Sequence, residues 1–404
     1  MPEYNTLDDL DPGQRVLVRL DLNSPVEDGT VQDNNRFDRY SETVRALADD
    51  DHRVVLMAHQ SRPGKDDFVS LEQHADILAE HIDRPVQFVA DTFGQAARDA
   101  IEALDAGEVL VLENTRMTDD ELPEKSPEEH AESEFVQTLA PLFDAYINDA
   151  YSVAHRAHAS TVGFPPVLPA YAGLVMEREY EYNTSVAQRE FDGPVTMVVG
   201  GNKSKDVINV ANNLGEKVDN FLLGGLPGEL FLRAEGYPVG HDVGGMDMLD
   251  DQFEATEETL ESLVETRRDE FGLPSDFAYE ADDGERAEIA LEEIDEKEDP
   301  YLDIGHLTID SYVPTIEESA AVFVKGAVGV FEDERFADGT VELIEAIART
   351  DCFSVIGGGD TARALEMYGI DEDSFDHVSI AGGAYLNALT GKELTAVEVL
   401  KSYA

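Results

Sequence analysis

The first half of the sequence places cationic side chains at the ends of apolar runs or in the segments that follow. They are Arg36, His59, Arg62, Arg116 and Arg156. An arginine guanidinium binds a carboxylate or phosphate through paired donors, which a lysine ammonium cannot reproduce. Each arginine taken singly could instead pair with a surface carboxylate. As a group they predict a site for a small, strongly anionic ligand, and Asp21 and Asn23 suit a hydroxyl group on it.

Two histidines in the same half, His155 and His158, are three residues apart. Such a pair could bind zinc from one helix. No adjacent glutamate in the metalloprotease pattern and no third ligand accompany it. An anion-binding loop is the favoured interpretation, with both histidines as structural hydrogen-bonding groups.

Glycine-rich turns take the place of these cations in the second half. Residues 200–205 read Gly-Gly-Asn-Lys-Ser-Lys, and residues 357–362 read Gly-Gly-Gly-Asp-Thr-Ala. Glycines let a backbone approach phosphates closely, and a lysine can reach the phosphate oxygens. The first turn lacks the Walker A spacing, and the second fits only the loose dinucleotide pattern G-x-G-x-x-A. One such turn could merely serve strand–helix packing, but several together predict a nucleotide site.

Two carboxylates suit that nucleotide site. Asp360 lies in the second glycine-rich turn, where Mg²⁺ would find the carboxylate and phosphate oxygens that it prefers. Glu332 could accept hydrogen bonds from a ribose, although it is one of very many acids.

Short apolar runs must position all of these residues. They cover residues 15–20, 54–57, 109–112, 145–147, 195–199, 220–223, 321–324, 353–356 and 377–380. Such runs, alternating with helical spacing, predict parallel sheets covered by helices on both faces. Ligands of open α/β sheets bind outside the carboxyl ends of the strands. We therefore expect an α/β protein with two Rossmann-like, doubly wound parallel-sheet domains, each with its own ligand.

The predicted domain boundary lies near residue 170, where prolines end the first domain. Residues 1–170 would form the first domain, and 171–385 the second, beginning with a hinge helix over about 174–189. The acidic segment 245–300 is expected to hold exposed helices and loops, with at most one strand near residues 277–279.

Charge is the strongest compositional signal. Among 404 residues, 87 are Asp or Glu and 29 are Lys or Arg, for a formal net charge of −58. Such a chain repels itself in dilute buffer, whereas at ~1 M salt the Debye length is only ~3 Å. We infer adaptation to molar intracellular salt. The acids are spread between apolar runs, which argues against disorder, and a polyanion such as nucleic acid would be repelled.

The remaining composition predicts a soluble, cytoplasmic protein; a monomer is expected, although the sequence does not give the oligomeric state. No apolar run approaches the ~18 residues that span a membrane, and the N-terminus has no signal-peptide pattern. The lone cysteine, Cys352, excludes an intramolecular disulfide and a cysteine-cluster metal site.

A series of short motifs is spread along nearly the whole chain. They are Val-Arg-Leu-Asp-Leu-Asn (18–23) followed by Arg36, Met-Ala-His-Gln-Ser-Arg-Pro (57–63), Leu-Glu-Asn-Thr-Arg (112–116), Asn-Asp-Ala-Tyr (148–151), Ala-His-Arg-Ala-His-Ala-Ser (154–160), Gly-Gly-Asn-Lys (200–203), Gly-Val-Phe-Glu (329–332), Gly-Gly-Gly-Asp-Thr (357–361) and Gly-Gly-Ala (382–384). Together these motifs resemble those of phosphoglycerate kinases. The resemblance is weakest over residues 245–300.

That resemblance implies reversible phosphoryl transfer between ATP and the carboxylate of 3-phosphoglycerate, with Mg²⁺. It implies 3-phosphoglycerate binding by Asp21, Leu22, Asn23, Arg36, His59, Gln60, Ser61, Arg62, Arg116 and Arg156. It implies nucleotide binding by Lys203, Lys205, Gly225, Lys325, Glu332, Gly358, Gly359, Asp360 and Thr361, with Asp360 on the metal. Catalytic roles would fall to Arg36, Lys203, Lys205, Gly382 and Gly383. Residues 386–404 would return to the first domain.

The chain departs from the family pattern at several positions. Val207 stands where many members carry a second lysine, and the sequence leaves open whether Lys205 or Lys325 replaces it. Lys325 itself begins Lys-Gly-Ala where Asn-Gly-Pro is usual. Ser61 and Ala381 stand where glycines are expected.

Two other functions stay open at this level. A non-catalytic binding module of the same fold would bind ADP without turnover. A nicotinamide-dependent oxidoreductase would rest on residues 357–362 alone and would leave the arginines unexplained.

We expect the protein to lose its structure on dialysis from molar KCl to low salt, because repulsion among the carboxylates is then unscreened. Circular dichroism at matched protein concentration checks this. A spectrum that stays constant through the dialysis would contradict it.

Overall fold

The structure, a computed structural model, describes residues 3–239, 248–296 and 300–404. The chain divides into two compact units. One runs to Glu181 and includes Lys392–Ala404, and the other is Tyr182–Gly391. The predicted boundaries, at residues 170 and 386, lie somewhat earlier in the chain. Lys401 Nζ donates to Tyr180 Oη at 3.1 Å, and such contacts keep residues 171–181 with the first unit.

Strands and short helices alternate through the first unit. Its strands are β1 (Arg15–Arg19), β2 (Val26–Glu27), β3 (Thr30–Val31), β4 (Arg53–Met57), β5 (Val86–Phe88), β6 (Val109–Val111), β7 (Ala145–Asn148) and β8 (Ala170–Ala172). Its helices are α1 (Asn35–Asp49), α2 (Glu72–Ile82), α3 (Gln95–Ala103), α4 (Pro127–Ala131), α5 (Glu134–Leu139), α6 (Ala159–Val162) and most of α7 (Leu174–Asn183). A six-stranded sheet has the order β5-β6-β4-β1-β7-β8, and all of its pairs are parallel.

The second unit repeats this plan. Its helices are α8 (Ser185–Gln188), α9 (Ser204–Leu214), α10 (Gly225–Ala234), α11 (Met248–Glu254), α12 (Glu257–Arg267), α13 (His306–Glu317), α14 (Asp338–Ala348), α15 (Gly359–Tyr368) and α16 (Gly383–Leu389), and α17 (Thr395–Ser402) follows in the first unit. Its strands are β9 (Val195–Val199), β10 (Asn220–Leu223), β11 (Phe271–Gly272), β12 (Asp276–Glu280), β13 (Arg286–Ala290), β14 (Asp303–Ile304), β15 (Ala321–Lys325), β16 (Phe353–Gly357) and β17 (His377–Ser379). Six of these strands form a parallel sheet in the order β11-β10-β9-β15-β16-β17.

The central strands are apolar because both of their faces are buried. Val16, Leu17 and Val18 of β1 pair with β4 on one side and β7 on the other, and all three are fully buried. The prediction of two parallel-sheet α/β domains is confirmed. The predicted hinge segment 174–189 forms helix α7 and the single turn α8, and its role as a hinge stays a prediction.

The prediction of at most one strand in segment 245–300 is wrong. Strands β11, β12 and β13 all lie there, and β12 pairs antiparallel with both β13 and β14. Strand β13 was not predicted because it is a half-buried edge strand with little apolar character. Residues 245–247 and 297–299 of the segment lie outside the described residues.

Within the described ranges, no helix is both long and apolar enough to cross a membrane.

Replacing Phe323 with alanine should lower the free energy of unfolding by about 3–5 kcal/mol. Phe323 lies on the central strand β15, is fully buried, and its ring centroid is 6.1 Å from that of Phe353. Urea unfolding at constant molar KCl measures the change.

The control is Leu307→Ala at the start of α13, where the side chain is 60% exposed. It should cost no more than about 0.5 kcal/mol. Equal losses in the two variants would contradict this account of the core.

Candidate active site

An open, cation-rich cavity of about 540 Å³ lies at the carboxyl edge of the first sheet. Its walls come from the segments after β1, β4, β6 and β7, which neighbour one another in the sheet. The lining residues are Asn23, His59, Ser61, Arg62, Lys65, Asp67, Arg116, Ser152, Val153, His155 and Arg156. Six of the residues predicted from the sequence are therefore brought together. Lys65, Ser152 and His155 were not assigned to the substrate.

The other predicted residues of this site lie outside the cavity wall. Asp21, Leu22 and Gln60 are buried. Gln60 ties two loops together, because its Oε1 accepts from the Ser24 amide at 2.9 Å and its Nε2 donates to the Asp67 carbonyl at 3.1 Å. These residues support the cavity by holding its loops.

Arg36 is held by Asp21 at the start of helix α1. Its guanidinium donates to the Asp21 carboxylate and, at 3.2 Å, to Ser152 Oγ. Burial alone would raise the pKa of Asp21, but Arg36 and Arg19 lower it below its usual range. Asp21 therefore stays charged and keeps the guanidinium in place.

The sequence interpretation missed Arg19, a fully buried arginine inside strand β1. Its Nε donates to Ser160 Oγ at 2.7 Å, and its Nη2 lies 3.1 Å from His59 Nδ1. Glu121, also fully buried, is the nearest carboxylate, at 4.0 Å. The sequence signal for Arg19 was an arginine within an otherwise apolar run, because a charge is buried only where partners compensate for the loss of water.

Burial keeps His59 neutral, and Arg19 determines which ring nitrogen carries its proton. Burial lowers the pKa of His59 well below its usual value despite the opposing effect of Asp21, and the charges of Arg19, Arg116 and Arg36 lower it further. The imidazole is therefore neutral. Because a guanidinium can only donate, Nδ1 must accept, and the proton resides on Nε2. His59 thus presents a neutral N–H donor to the cavity.

The cavity arginines are not neutralised by the abundant acids. No carboxylate lies within 4 Å of Arg62, Arg116 or Arg156 in the described part of the chain. Burial and the charges of Arg19, Arg62 and Arg156 lower the pKa of Arg116 to about 10. Surface pairing thus does not account for these three arginines, and their positive charges converge on one cavity.

Ser61 shows how the chain tolerates one departure from the family pattern. The φ angle of Ser61 is 51°, in the left-handed region, which explains why a glycine suits this position. Three hydrogen bonds hold it there: its amide donates to Asn23 Oδ1 at 2.7 Å, its Oγ to Asp67 Oδ1 at 2.5 Å, and its carbonyl accepts from Arg116 Nη1 at 2.6 Å.

The histidine pair after β7 belongs to no cluster of three possible metal ligands among the residues that the structure describes. His158 is buried next to α6, with Nε2 3.7 Å from Glu124 Oε1. Burial and the charges of Arg116 and Arg19 lower its pKa to about 3. Among the described residues, no group of three possible ligands surrounds a common point.

A second cavity, of about 420 Å³, lies at the carboxyl edge of the second sheet. It adjoins the point where connections from β9 and β15 leave in opposite directions, the usual ligand position in open α/β sheets. The predicted residues Gly225, Glu332 and Asp360 line it. Part of its wall is apolar and includes Leu249, Phe277 and Tyr301, none of which was predicted.

Backbone contacts at this edge require glycines. Gly201 N donates to the Ala327 carbonyl at 2.7 Å, and Gly225 N to the Val328 carbonyl at 2.9 Å. A Cβ on Gly200 would lie 2.1 Å from the Ala327 oxygen. Gly358, which precedes α15, has a φ of 108°. These turns can therefore approach a ligand with bare backbone.

The predicted catalytic lysines do not line the cavity. Lys203 and Lys205 are exposed at the start of α9, and Val207 on the same helix is fully buried. Lys325 ends strand β15, and its Nζ lies 3.3 Å from Asp206 Oδ2. Gly382 and Gly383 are exposed at the start of α16. Thr361 is fully buried and donates to the Gly357 carbonyl at 3.2 Å.

These features define an α/β protein with a cation-rich cavity in one unit and a glycine-lined cavity in the other. The family model described as phosphoglycerate kinase matches residues 7–392. Phosphoglycerate kinase of Halorubrum lacusprofundi is 69% identical over 404 residues, covering 100% of this chain and 99% of its own. That of Haloarcula marismortui is 65% identical over 398 residues, covering 98% and 99%.

A crystal structure of phosphoglycerate kinase from Pyrococcus horikoshii OT3 superposes with a TM-score of 0.92 at 34% identity, covering 99% of each chain. The chain belongs to the phosphoglycerate kinase family. The predicted family and the predicted phosphotransferase class are confirmed. The roles assigned to individual residues stay predictions.

One buried carboxyl beside the first site has no cationic partner in the described residues. Asp149 follows β7 and is fully buried, and its Oδ1 accepts from the Met176 amide at the start of α7, at 2.9 Å. Burial raises its pKa to about 6. The folded state therefore holds this proton at pH values where the unfolded chain has lost it.

Stability should consequently fall as pH rises from about 4 to about 6, because the unfolded carboxyl ionises first. Asp149→Asn keeps the acceptor and removes this dependence. We expect its stability relative to wild type to rise by about 3 kcal/mol across that window, at 1.36 kcal/mol per pKa unit. Urea unfolding in molar KCl at several pH values measures this difference.

Asp105→Asn, at an exposed position, is the control and should show no comparable trend. A pH-independent difference for Asp149→Asn would mean that this carboxyl titrates normally.

Proposed function

We propose that this enzyme catalyses reversible, Mg²⁺-dependent phosphoryl transfer between ATP and 3-phosphoglycerate, giving ADP and 1,3-bisphosphoglycerate in glycolysis and gluconeogenesis. One observation carries the proposal. Three arginines of a chain with a net charge of −58 converge on one cavity, and no carboxylate of the described residues lies within 4 Å of them. Only a multiply charged anion offers such a cluster enough compensation.

In the first unit, Arg62, Arg116 and Arg156 would hold the phosphate of 3-phosphoglycerate, and His59 Nε2–H would add a neutral donor. Asn23 would bind the hydroxyl group. Arg36, fixed by Asp21, would orient the attacking carboxylate. Leu22, Gln60 and Ser61 would maintain the loops around the ligand.

In the second unit, the cavity would hold the nucleotide, with Glu332 at the ribose and Gly225 near the nucleoside. The turn formed by Gly358, Gly359 and Thr361 would approach the phosphates. Lys203, Lys205 and Lys325 would bind phosphate oxygens, and Gly382 and Gly383 would offer backbone donors. Asp360 would hold Mg²⁺, which when bound supplies positive charge to the phosphates. Its carboxylate fits that role, because it lines the cavity and pairs with no cation in the described chain.

The reaction joins a carboxylate oxygen of 3-phosphoglycerate to the γ-phosphorus while the bond from that phosphorus to the β,γ-bridging oxygen breaks. The nucleophile is already ionised, so no general base is required. Catalysis then rests on positioning and on charge stabilisation. A neutral His59 agrees with this, because it would donate a hydrogen bond without accepting a proton.

We also infer a monomer that works in a salt-rich cytoplasm. The net charge of −58 and the halophilic source of close relatives support salt adaptation.

A coupled assay for phosphorylation of 3-phosphoglycerate by MgATP in molar KCl tests the proposal. Wild type should turn over, and Arg36→Ala should lower kcat by at least about 100-fold, because the attacking carboxylate loses its orienting charge. ATP binding by calorimetry should be retained.

The matched control is Arg45→Ala on the same helix, an exposed residue whose Nη2 donates to Ser41 Oγ at 2.7 Å. It should keep wild-type kinetics. Undiminished activity of Arg36→Ala would refute the role of Arg36. A folded wild type that binds ADP without turnover would instead indicate a non-catalytic binding module.

A further inference from the structure

Lys325 lies in the middle of the carboxyl edge of the second sheet, where the proposed nucleotide cavity is. It is the last residue of β15, paired with Val199 of β9 on one side and Gly357 of β16 on the other. Both of these neighbours lead directly into glycine turns. The backbone of Lys325 therefore lies between the two turns that a nucleotide phosphate chain would approach.

The backbone on either side of Lys325 is held firmly. Its carbonyl accepts from Gly200 N at 2.9 Å. The next residue, Gly326, has a φ of 82°, and a Cβ there would lie 2.8 Å from the Gly200 oxygen. The starting point of the lysine side chain is thus set to one place.

The ammonium group is only partly engaged. The side chain is 16% exposed, and Nζ lies 3.3 Å from Oδ2 of Asp206, which is itself 17% exposed in the first turn of α9. An ammonium has three donors, and the described residues supply this single carboxylate. A bound phosphate would add acceptors and negative charge beside a cation that is largely removed from water.

We propose that Lys325 is the catalytic cation for the transferring phosphoryl group, and that Asp206 is its positioning residue. Without nucleotide, Asp206 holds the ammonium beside the turns. With nucleotide bound, the ammonium donates to a non-bridging oxygen of the phosphoryl group and stabilises the charge that develops there. Lys325 stays protonated throughout, so no proton moves. This inference rests on the proposed kinase reaction.

The geometry favours Lys325 over the two lysines of α9. Lys203 and Lys205 are exposed and have no carboxylate within 4 Å among the described residues. Long exposed side chains lose more conformational freedom on binding than a half-buried one. Lys203 and Lys205 suit outer phosphate contacts, whereas Lys325 is pre-positioned.

The test measures kcat, KM and ADP affinity of Lys325→Ala in molar KCl. We expect kcat to fall about 100-fold, while KM for 3-phosphoglycerate changes by less than about threefold. Lys325→Arg should recover part of kcat, because it keeps the charge. Lys217→Ala is the matched control: Lys217 pairs with one carboxylate, Glu190, at 2.8 Å, away from both cavities, and should keep wild-type kinetics.

A double-mutant cycle tests Asp206. Asp206→Asn should lower kcat in the wild-type background and have little further effect in Lys325→Ala, because it acts through the lysine. Additive losses would remove its positioning role. Circular dichroism in molar KCl verifies folding of each variant.

Different results would overturn the role of Lys325 and the kinase assignment. An active wild type with Lys325→Ala at a comparable kcat would overturn the role of Lys325 and leave the kinase assignment standing. A wild type that does not phosphorylate 3-phosphoglycerate would overturn the kinase assignment and this inference with it.

Discussion

The site in the first unit depends on one constraint: a few of its arginines must not be paired with carboxylates of the chain itself. The acids near the site are already engaged: Asp21 holds Arg36, Glu121 lies beside Arg19, and Asp67 on the cavity wall accepts from Ser61 Oγ. Ser160 strengthens the second arrangement, because its hydroxyl and amide both donate to Glu121, at 2.7 and 2.8 Å. With those carboxylates satisfied, Arg62, Arg116 and Arg156 stay available for a ligand.

Arg19 connects the core of the sheet to the chemistry at its edge. A buried guanidinium is costly unless its donors are matched, and here a histidine, a hydroxyl and a backbone carbonyl accept them. Burial keeps His59 neutral, and the contact from Arg19 places the imidazole proton on Nε2. A strand residue with no ligand contact of its own thereby selects the donor that faces the cavity.

The second site meets a different constraint, which is steric. Its turns touch backbone to backbone, as between Gly201 and Ala327, so side chains are excluded where phosphates would approach. Charge must then come from the surrounding elements. Lys325 supplies a positive charge at the end of β15, where the strand order switches, and Asp360 supplies a negative charge in the first turn of α15, after the neighbouring strand β16.

The linear sequence carried the local information. Apolar runs marked the central strands, because burial on both faces leaves an apolar signature, and glycines and arginines at the run ends marked the ligand sites. Short edge strands such as β5 and β13 have weak signatures, since their stability comes from a partner strand. Which cations are neutralised is likewise decided by distant parts of the chain. The engagement of Arg36 by Asp21, the burial of Arg19 and the pairing of Lys325 with Asp206 emerge only when the fold brings these residues together, because Coulomb and hydrogen-bond energies depend on distances in space.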